Sequence, residues 1–203
     1  AFNKINARIN SSSKSFLFQD EMNSKNMQAE FANNQIINLN LFGMAETKYH
    51  VIDDSLLMGT NEASGDSIML SFKDGNIDRI KVFGGARGQF NPQKNNTKVD
   101  TIITYKAEKI DYLIEKKLSY LNQEASVDYQ GTRLSSGEIE VNWDTNILNA
   151  TLYKNEYPMI ESYGESPMSG EKMNFDLISK RGKINKGKTN FNESYYHGNE
   201  IFR

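Results

Sequence analysis

The sequence predicts an all-β fold, a jellyroll or flattened taco built from repeated antiparallel hairpins. Three observations predict it: a motif that recurs six times, apolar residues at alternate positions after it, and turn-forming residues between the resulting segments. Internal repeats come first because they constrain the whole architecture. The motif is a small or polar residue, two mostly polar residues, then Ile or Met. It occurs as Ser24-Lys25-Asn26-Met27, Gly65-Asp66-Ser67-Ile68, Ala107-Glu108-Lys109-Ile110, Ser136-Gly137-Glu138-Ile139, Gly170-Glu171-Lys172-Met173 and Gly198-Asn199-Glu200-Ile201. The copies are 41, 42, 29, 34 and 28 residues apart.

After five of these motifs the apolar residues alternate, as in Met27/Ala29/Phe31, Ile68/Leu70/Phe72, Ile110/Tyr112/Ile114, Ile139/Val141/Trp143 and Met173/Phe175/Leu177. Period two places one apolar face on each strand. Polar turns close the strands at 32–35, 73–76, 115–117, 144–146 and 178–181. Asp74-Gly75 is the strongest hairpin signal, because Gly supplies the positive φ that a tight hairpin needs. The expectation is about 12–16 short antiparallel strands, two or three to each interval between motifs. Between Tyr105 and Leu121, however, Ile110, Leu113, Ile114, Leu118 and Leu121 also fit helical spacing. The repeat register makes this segment strand, and agreement among several copies outweighs one local propensity. One-faced strands must bury that face against a second sheet. Residues 1–14 read as a flexible N-terminal segment and 15–203 as one elongated domain.

Composition narrows the function. The chain has 203 residues, net charge −2, 37% hydrophobic residues and no Cys. Near-neutral charge argues against nucleic acid as a partner, since phosphate contacts call for a cationic surplus. The low apolar share suits a thin β structure better than a compact enzyme. Without Cys there is no thiol nucleophile, disulfide or Cys-ligated zinc. No serine sits in a nucleophile elbow, and His50 and His197 have no metal-ligand spacing, so no enzyme activity, metal or cofactor is expected. Gly84-Gly85-Ala86-Arg87-Gly88 lacks the Lys-Ser/Thr of a phosphate loop and reads as a turn after a strand. Asp53, Asp54, Glu62 and Asp66 read as a solvated acidic loop, with calcium as the lesser alternative. Between Glu171 and Lys188 six cations (Lys172, Lys180, Arg181, Lys183, Lys186 and Lys188) face only Glu171 and Asp176. That patch reads as a solvated hairpin rim, with Lys183, Lys186 and Lys188 as possible phosphate contacts.

From Gly65 onward the tandem units resemble the OstA-like domain of the lipopolysaccharide-transport family, to which the periplasmic bridge protein LptA and the periplasmic N-terminal region of LptD belong. The residues that carry the likeness are EASGDSIMLSFKDGNIDRIKVFGGARGQF, LSSGEIEVNWDTNILNATLY and PMSGEKMNFDLISKRGKINKGKTNFNESYYHGNEIF. The last resembles the unit that precedes the barrel in LptD-type chains. A weaker copy, MNSKNMQAEFANNQIINLNLFGMAETKY, extends the likeness to about residue 20.

The resemblance implies a periplasmic, outer-membrane-associated β-jellyroll that carries lipopolysaccharide acyl chains in an apolar groove. Its implied partners are a neighbouring LptA-like jellyroll joined by edge-strand addition and, for an LptD-type chain, an outer-membrane β-barrel. The alternating residues Met27, Phe31, Ile68, Leu70, Phe72, Ile80, Val82, Ile110, Tyr112, Ile139, Val141, Trp143, Met173, Phe175 and Leu177 are then the expected groove lining. Strands near Ser15–Phe18 and Met27–Phe31 are the expected docking edge, since open edges pair readily. A closed-core β-solenoid that binds protein or carbohydrate remains the alternative. Open apolar volume along a seam distinguishes the first reading, and a filled core with exposed aromatic platforms the second.

Overall fold

In the computed structural model, residues 5–12, 17–53, 56–94, 96, 99–191 and 194–202 are described. Fifteen strands follow one another: β1 (Ile5–Ser12), β2 (Leu17–Ser24), β3 (Asn26–Ala32), β4 (Gln35–Asp53), β5 (Leu56–Lys73), β6 (Asn76–Pro92), β7 (Ile103–Leu113), β8 (Leu118–Tyr129), β9 (Thr132–Asn142), β10 (Ile147–Thr151), β11 (Met159–Ser162), β12 (Met168–Ser169), β13 (Lys172–Asp176), β14 (Gly182–Phe191) and β15 (Ser194–Phe202). All pairings are antiparallel and join the strands into a single hydrogen-bonded sheet. Among the described residues there is no helix, and 105–121 forms the end of β7, a turn and the start of β8.

The strands are longer than the hairpin count implied, because each long strand bends at its middle. Ladder register slips between Phe42 and Ala45, Ser64 and Ser67, Phe83 and Ala86, Lys106 and Lys109, and Asn122 and Ala125. These bulges stand side by side and form one corner, since a bulge bends its strand and sharpens its twist. The corner folds the sheet into two layers. Layer A holds 26–32, 35–42, 67–73, 76–83, 109–113, 118–122, 138–142, 147–151, 172–176, 182–185 and 200–202. Layer B holds 5–12, 17–24, 45–53, 56–64, 86–92, 103–107, 125–129, 132–136, 159–162, 168–169 and 188–198 less the two undescribed residues.

This geometry corrects the reading of the repeat. Four of the six copies (65–68, 107–110, 136–139 and 198–201) lie inside a strand rather than at its start, and three of these turn the corner, while β3 and β13 do begin within the copies at 24–27 and 170–173. Its small residue lies where neighbouring backbones approach, so that a Cβ on Gly65 would come within 2.7 Å of the Phe83 carbonyl oxygen. Facing strands carry left-handed pairs at the same level: Gly43-Met44, Gly84-Gly85 and Gln123-Glu124 all have positive φ. Gly84–Gly88, expected as a turn after a strand, therefore lies within β6, and its first two glycines form the bulge.

The Ile or Met of the motif is the first inward residue after the corner, and pairing aligns all six copies. One row across layer A reads Met27, Leu41, Ile68, Val82, Ile110, Leu121, Ile139, Ala150, Met173, Ile184 and Ile201. All between Leu41 and Ile184 are buried. The outward alternates Met69, Ser71 and Asn142 are not, so the period-two phase is as expected.

The expected turns close the layer A rim. Asn33 and Asn34, then Asp74 and Gly75, adopt positive φ in two-residue hairpins. Residues 1–14, expected to be flexible, contain β1, which pairs with β2 over its full length. β2 is thereby covered, which removes 17–18 as an open edge, while Ser15 and Phe16 lie outside the described residues. In layer A, β3 pairs with β4 and stands at the edge.

Candidate functional site

The second inward row of layer A lies farther from the corner and reads Leu39, Leu70, Ile80, Tyr112, Ser119, Val141, Leu148 and Phe175. Ser119 is the small member of this row. Its hydroxyl accepts a hydrogen bond from Trp143 Nε1 at 2.7 Å, which holds the indole over the gap. Facing it in layer B, Phe90 lies 6.5 Å and Tyr105 6.3 Å from the Trp143 ring, centre to centre. Tyr105 in turn meets Tyr112 edge-on, with centroids 6.1 Å apart.

Beyond these rings, toward the rims, the layers part around a cavity of about 400 Å³. That size is in the usual range for small-molecule sites, about 300–1,000 Å³. Its walls are mainly Tyr49, Val51, Met58 and Phe90 from layer B and Ile77, Leu113, Ile114 and Trp143 from layer A. Val99, after β6, is buried and closes part of the layer B side.

Polar groups sit within and around this lining. The buried Tyr105 hydroxyl donates to Asn61 Oδ1 at 2.6 Å. Burial pushes the Tyr49, Tyr105 and Tyr112 hydroxyls well above the ordinary tyrosine range, so all three are neutral. Toward β2, Asp20 is almost wholly buried. Its Oδ1 accepts the His50 backbone N–H at 2.8 Å and lies 2.9 Å from His50 Nδ1. Burial raises the Asp20 pKa, and the bonds from His50 only partly oppose this. His50 also stacks on Phe18 at 4.8 Å. At the rims, Lys117 Nζ is 2.8 Å from Asp53 Oδ1 and 3.4 Å from Asp144 Oδ1.

Of the expected groove residues, Tyr112 and Trp143 line the cavity. Ile68, Val82, Ile110, Ile139 and Met173 are in the closed row beside the corner, and Met27 packs at its end. Leu70, Ile80, Val141 and Phe175 belong to the second row, with Phe72 and Leu177 nearer the rim, all buried. Phe31 is 68% exposed on β3, where among the described residues no further strand covers it.

The acidic stretch is not a loop. Asp53 ends β4, while Glu62 and Asp66 are in β5; Asp54 is outside the described residues. Glu62 pairs with Lys48 at 3.1 Å. Among the described residues, no three His, Asp or Glu side chains are grouped to hold a metal ion. The basic patch is a β13–β14 hairpin, as expected, but its charge is partly neutralised. Lys183 pairs with Glu200 at 2.6 Å and Lys186 with Glu171 at 2.9 Å, while Lys188 is exposed on β14.

Sequence reasoning missed Asp20, Tyr49, His50, Asn61 and Lys117. Tyr49 and Asn61 occupy inward alternates, a legible position, but their meeting depends on which strands pair. Ser119 carried a weak signal, as a small hydroxyl residue at an inward alternate of β8 between Leu118 and Leu121.

No protein-family model and no curated protein matches this sequence. The fold does have a counterpart among solved structures: LptH of Pseudomonas aeruginosa, described as the LptA-homologous periplasmic component of the conserved lipopolysaccharide transport device. The match spans 66% of this chain and 82% of LptH, with 16% identity and a TM-score of 0.50. The chain is thus an all-β protein with the LptA-like β-jellyroll fold.

Proposed function

We propose that the chain is a periplasmic, non-enzymatic carrier of lipopolysaccharide of the LptA or LptD type. Acyl chains enter the cavity between the layers while sugars and phosphates stay among the charged rims. The observation that carries this reading is the apolar cavity opening along the seam of a folded sheet whose inner rows are otherwise filled. Each exposed CH₂ costs about 0.8 kcal/mol, so a crossing through water needs such a lining. The likeness to LptH supports the same reading, as do the tandem OstA-like units. The closed-core alternative predicts no such opening.

In this reading residues 15–203 act as one elongated unit. The inward residues of both rows line the path, with Tyr112 and Trp143 at the cavity and the rest able to join it when the layers part. Lys183, Lys186 and Lys188 serve as secondary phosphate contacts. The edge formed by β3 receives a neighbouring jellyroll by strand addition, and in an LptD-type chain the opposite end leads to an outer-membrane barrel. β3 contains no proline that would block pairing.

Photo-crosslinking in cells tests the proposal. A photoreactive residue at Leu113 or Val141 is expected to capture lipopolysaccharide, and one at Met69, Ser71 or Asn142 is not. Capture at the outward positions alone would overturn the groove.

A further inference from the structure

An ion pair spans the open side of the cavity. Asp53 ends β4 on the layer B rim, and Lys117 belongs to the β7–β8 turn on the layer A rim, 64 residues away in sequence. Their Nζ–Oδ1 distance is 2.8 Å, and both residues line the cavity along with Ile52 and Leu118. The backbone joins the two layers at the corner, on the far side of the core. Opening the seam therefore means parting these rims, and this pair must separate for that to happen.

Two ways into the cavity differ in what must move. At the β2 end, Asp20 and His50 line it. The Asp20 carboxylate is almost wholly buried and is held by the His50 backbone N–H and ring, so displacing it strands a buried charge. Along the seam, the side chains of Lys117 and Asp53 are 40% and 28% exposed. Water and salt already screen that pair, and its groups stay hydrated once parted.

We propose that the seam between the end of β4 and the β7–β8 turn is the portal through which a ligand's apolar chain enters sideways, with Lys117–Asp53 as its latch. The inference rests on the reading of the cavity as an acyl-chain site. It adds the route and the residues that gate it. The ligand class is an amphiphile with a long unbranched chain, whose head remains outside between Lys117 and the acids Asp53 and Asp144. Ends of the sheet then serve contact with neighbours rather than loading.

The absence of Cys gives a clean test, because Asp53→Cys/Lys117→Cys introduces the only two thiols. The probe is a polyene fatty acid whose fluorescence rises in apolar surroundings, followed by stopped flow. Mass spectrometry verifies closure of the disulfide, and a short bis-maleimide closes the same pair if the disulfide does not form. Crosslinking is expected to slow association at least tenfold, and the reduced protein to regain fast association. Asp53→Asn/Lys117→Gln is expected to raise both association and dissociation rates at least twofold. Equal association in the crosslinked and reduced forms, or unchanged rates in Asp53→Asn/Lys117→Gln, would overturn the portal and leave the cavity reading standing. Failure of the wild-type chain to bind the probe would remove the cavity reading and the portal with it.

Discussion

Layer A and layer B enclose one core but contribute to it unequally. Beside the corner, layer A offers Leu41, Ile68, Val82, Ile110, Leu121 and Ile139, whereas layer B offers Ala45, Ala63, Ala86, Ala107, Ala125 and Ser136. Large residues on one face thus meet small ones on the other, which lets the layers close tightly where they are joined. Farther from the corner layer B enlarges to Tyr49, Phe90, Ile103 and Tyr129, and the layers diverge around the cavity. A taper built this way has a dry hinge side and an open rim side, so stability and ligand access belong to different rows of the same strands.

The largest expected effect is in the row beside the corner. Ile110→Ala should cost about 2–5 kcal/mol in chemical denaturation, because the site is fully buried and its neighbours are fixed by the ladder. The same truncation at Leu113, a partly buried cavity-wall residue, should cost clearly less. Equal costs would mean that the two sides are equally packed. The reverse substitution tests the small face: Ala63→Leu should destabilise by about 1–3 kcal/mol through overpacking. A neutral result there would show that the corner has room, contrary to the taper.

How much of this was legible in the sequence depends on the row. The alternation after each motif gave inward and outward faces correctly at Leu70 and Met69, and the Asp74-Gly75 turn was readable because its chemistry is local. The small residue of the motif is legible in the sequence but its purpose is not, since the strand that crowds Gly65 is β6 and only pairing reveals it. Gly84-Gly85 suggested a turn because glycines usually end strands, and in isolation nothing marks a bulge inside one. Gln123-Glu124 has no turn chemistry at all, and the corner imposes its left-handed backbone. The cavity was less legible still. Asp20 meets His50, and Asp53 meets Lys117, across distances of 30 and 64 residues, so no window of sequence contains either pair.

At the β2 end, the comparison between buried and rim charges gives a pH prediction. Asp20→Ala leaves the His50 backbone N–H without its acceptor and should cost about 1–3 kcal/mol, whereas Asp20→Asn keeps an oxygen there and should cost less. Because burial raises the Asp20 pKa in the folded chain, the folded state holds its proton more tightly than the unfolded state. Its contribution to stability therefore falls as pH rises from the ordinary carboxylate value through the raised one. Relative to Asp20→Asn, the wild type should lose stability over that interval. A flat difference between pH 3 and pH 7 would mean that Asp20 titrates normally.

The smallest effect distinguishes a polar anchor from plain packing at the cavity's inner wall. Trp143 fills the space above Ser119 and is tied to it by a single hydrogen bond of 2.7 Å. Trp143→Phe keeps an aromatic ring but leaves the Ser119 hydroxyl, which is almost wholly buried, without that donor. Ser119→Ala has the opposite fault, removing the acceptor from an indole N–H at the cavity wall. Each single change should cost about 1 kcal/mol or slightly more, Trp143→Phe the more because it also removes ring area. Once either partner is gone the other has nothing left to lose, so the double variant should cost less than the sum. The shortfall measures the bond, and about 0.5–1.5 kcal/mol is expected from a double-mutant cycle in urea. Full additivity would mean that the indole is held by its packing against Phe90 and Tyr105 alone.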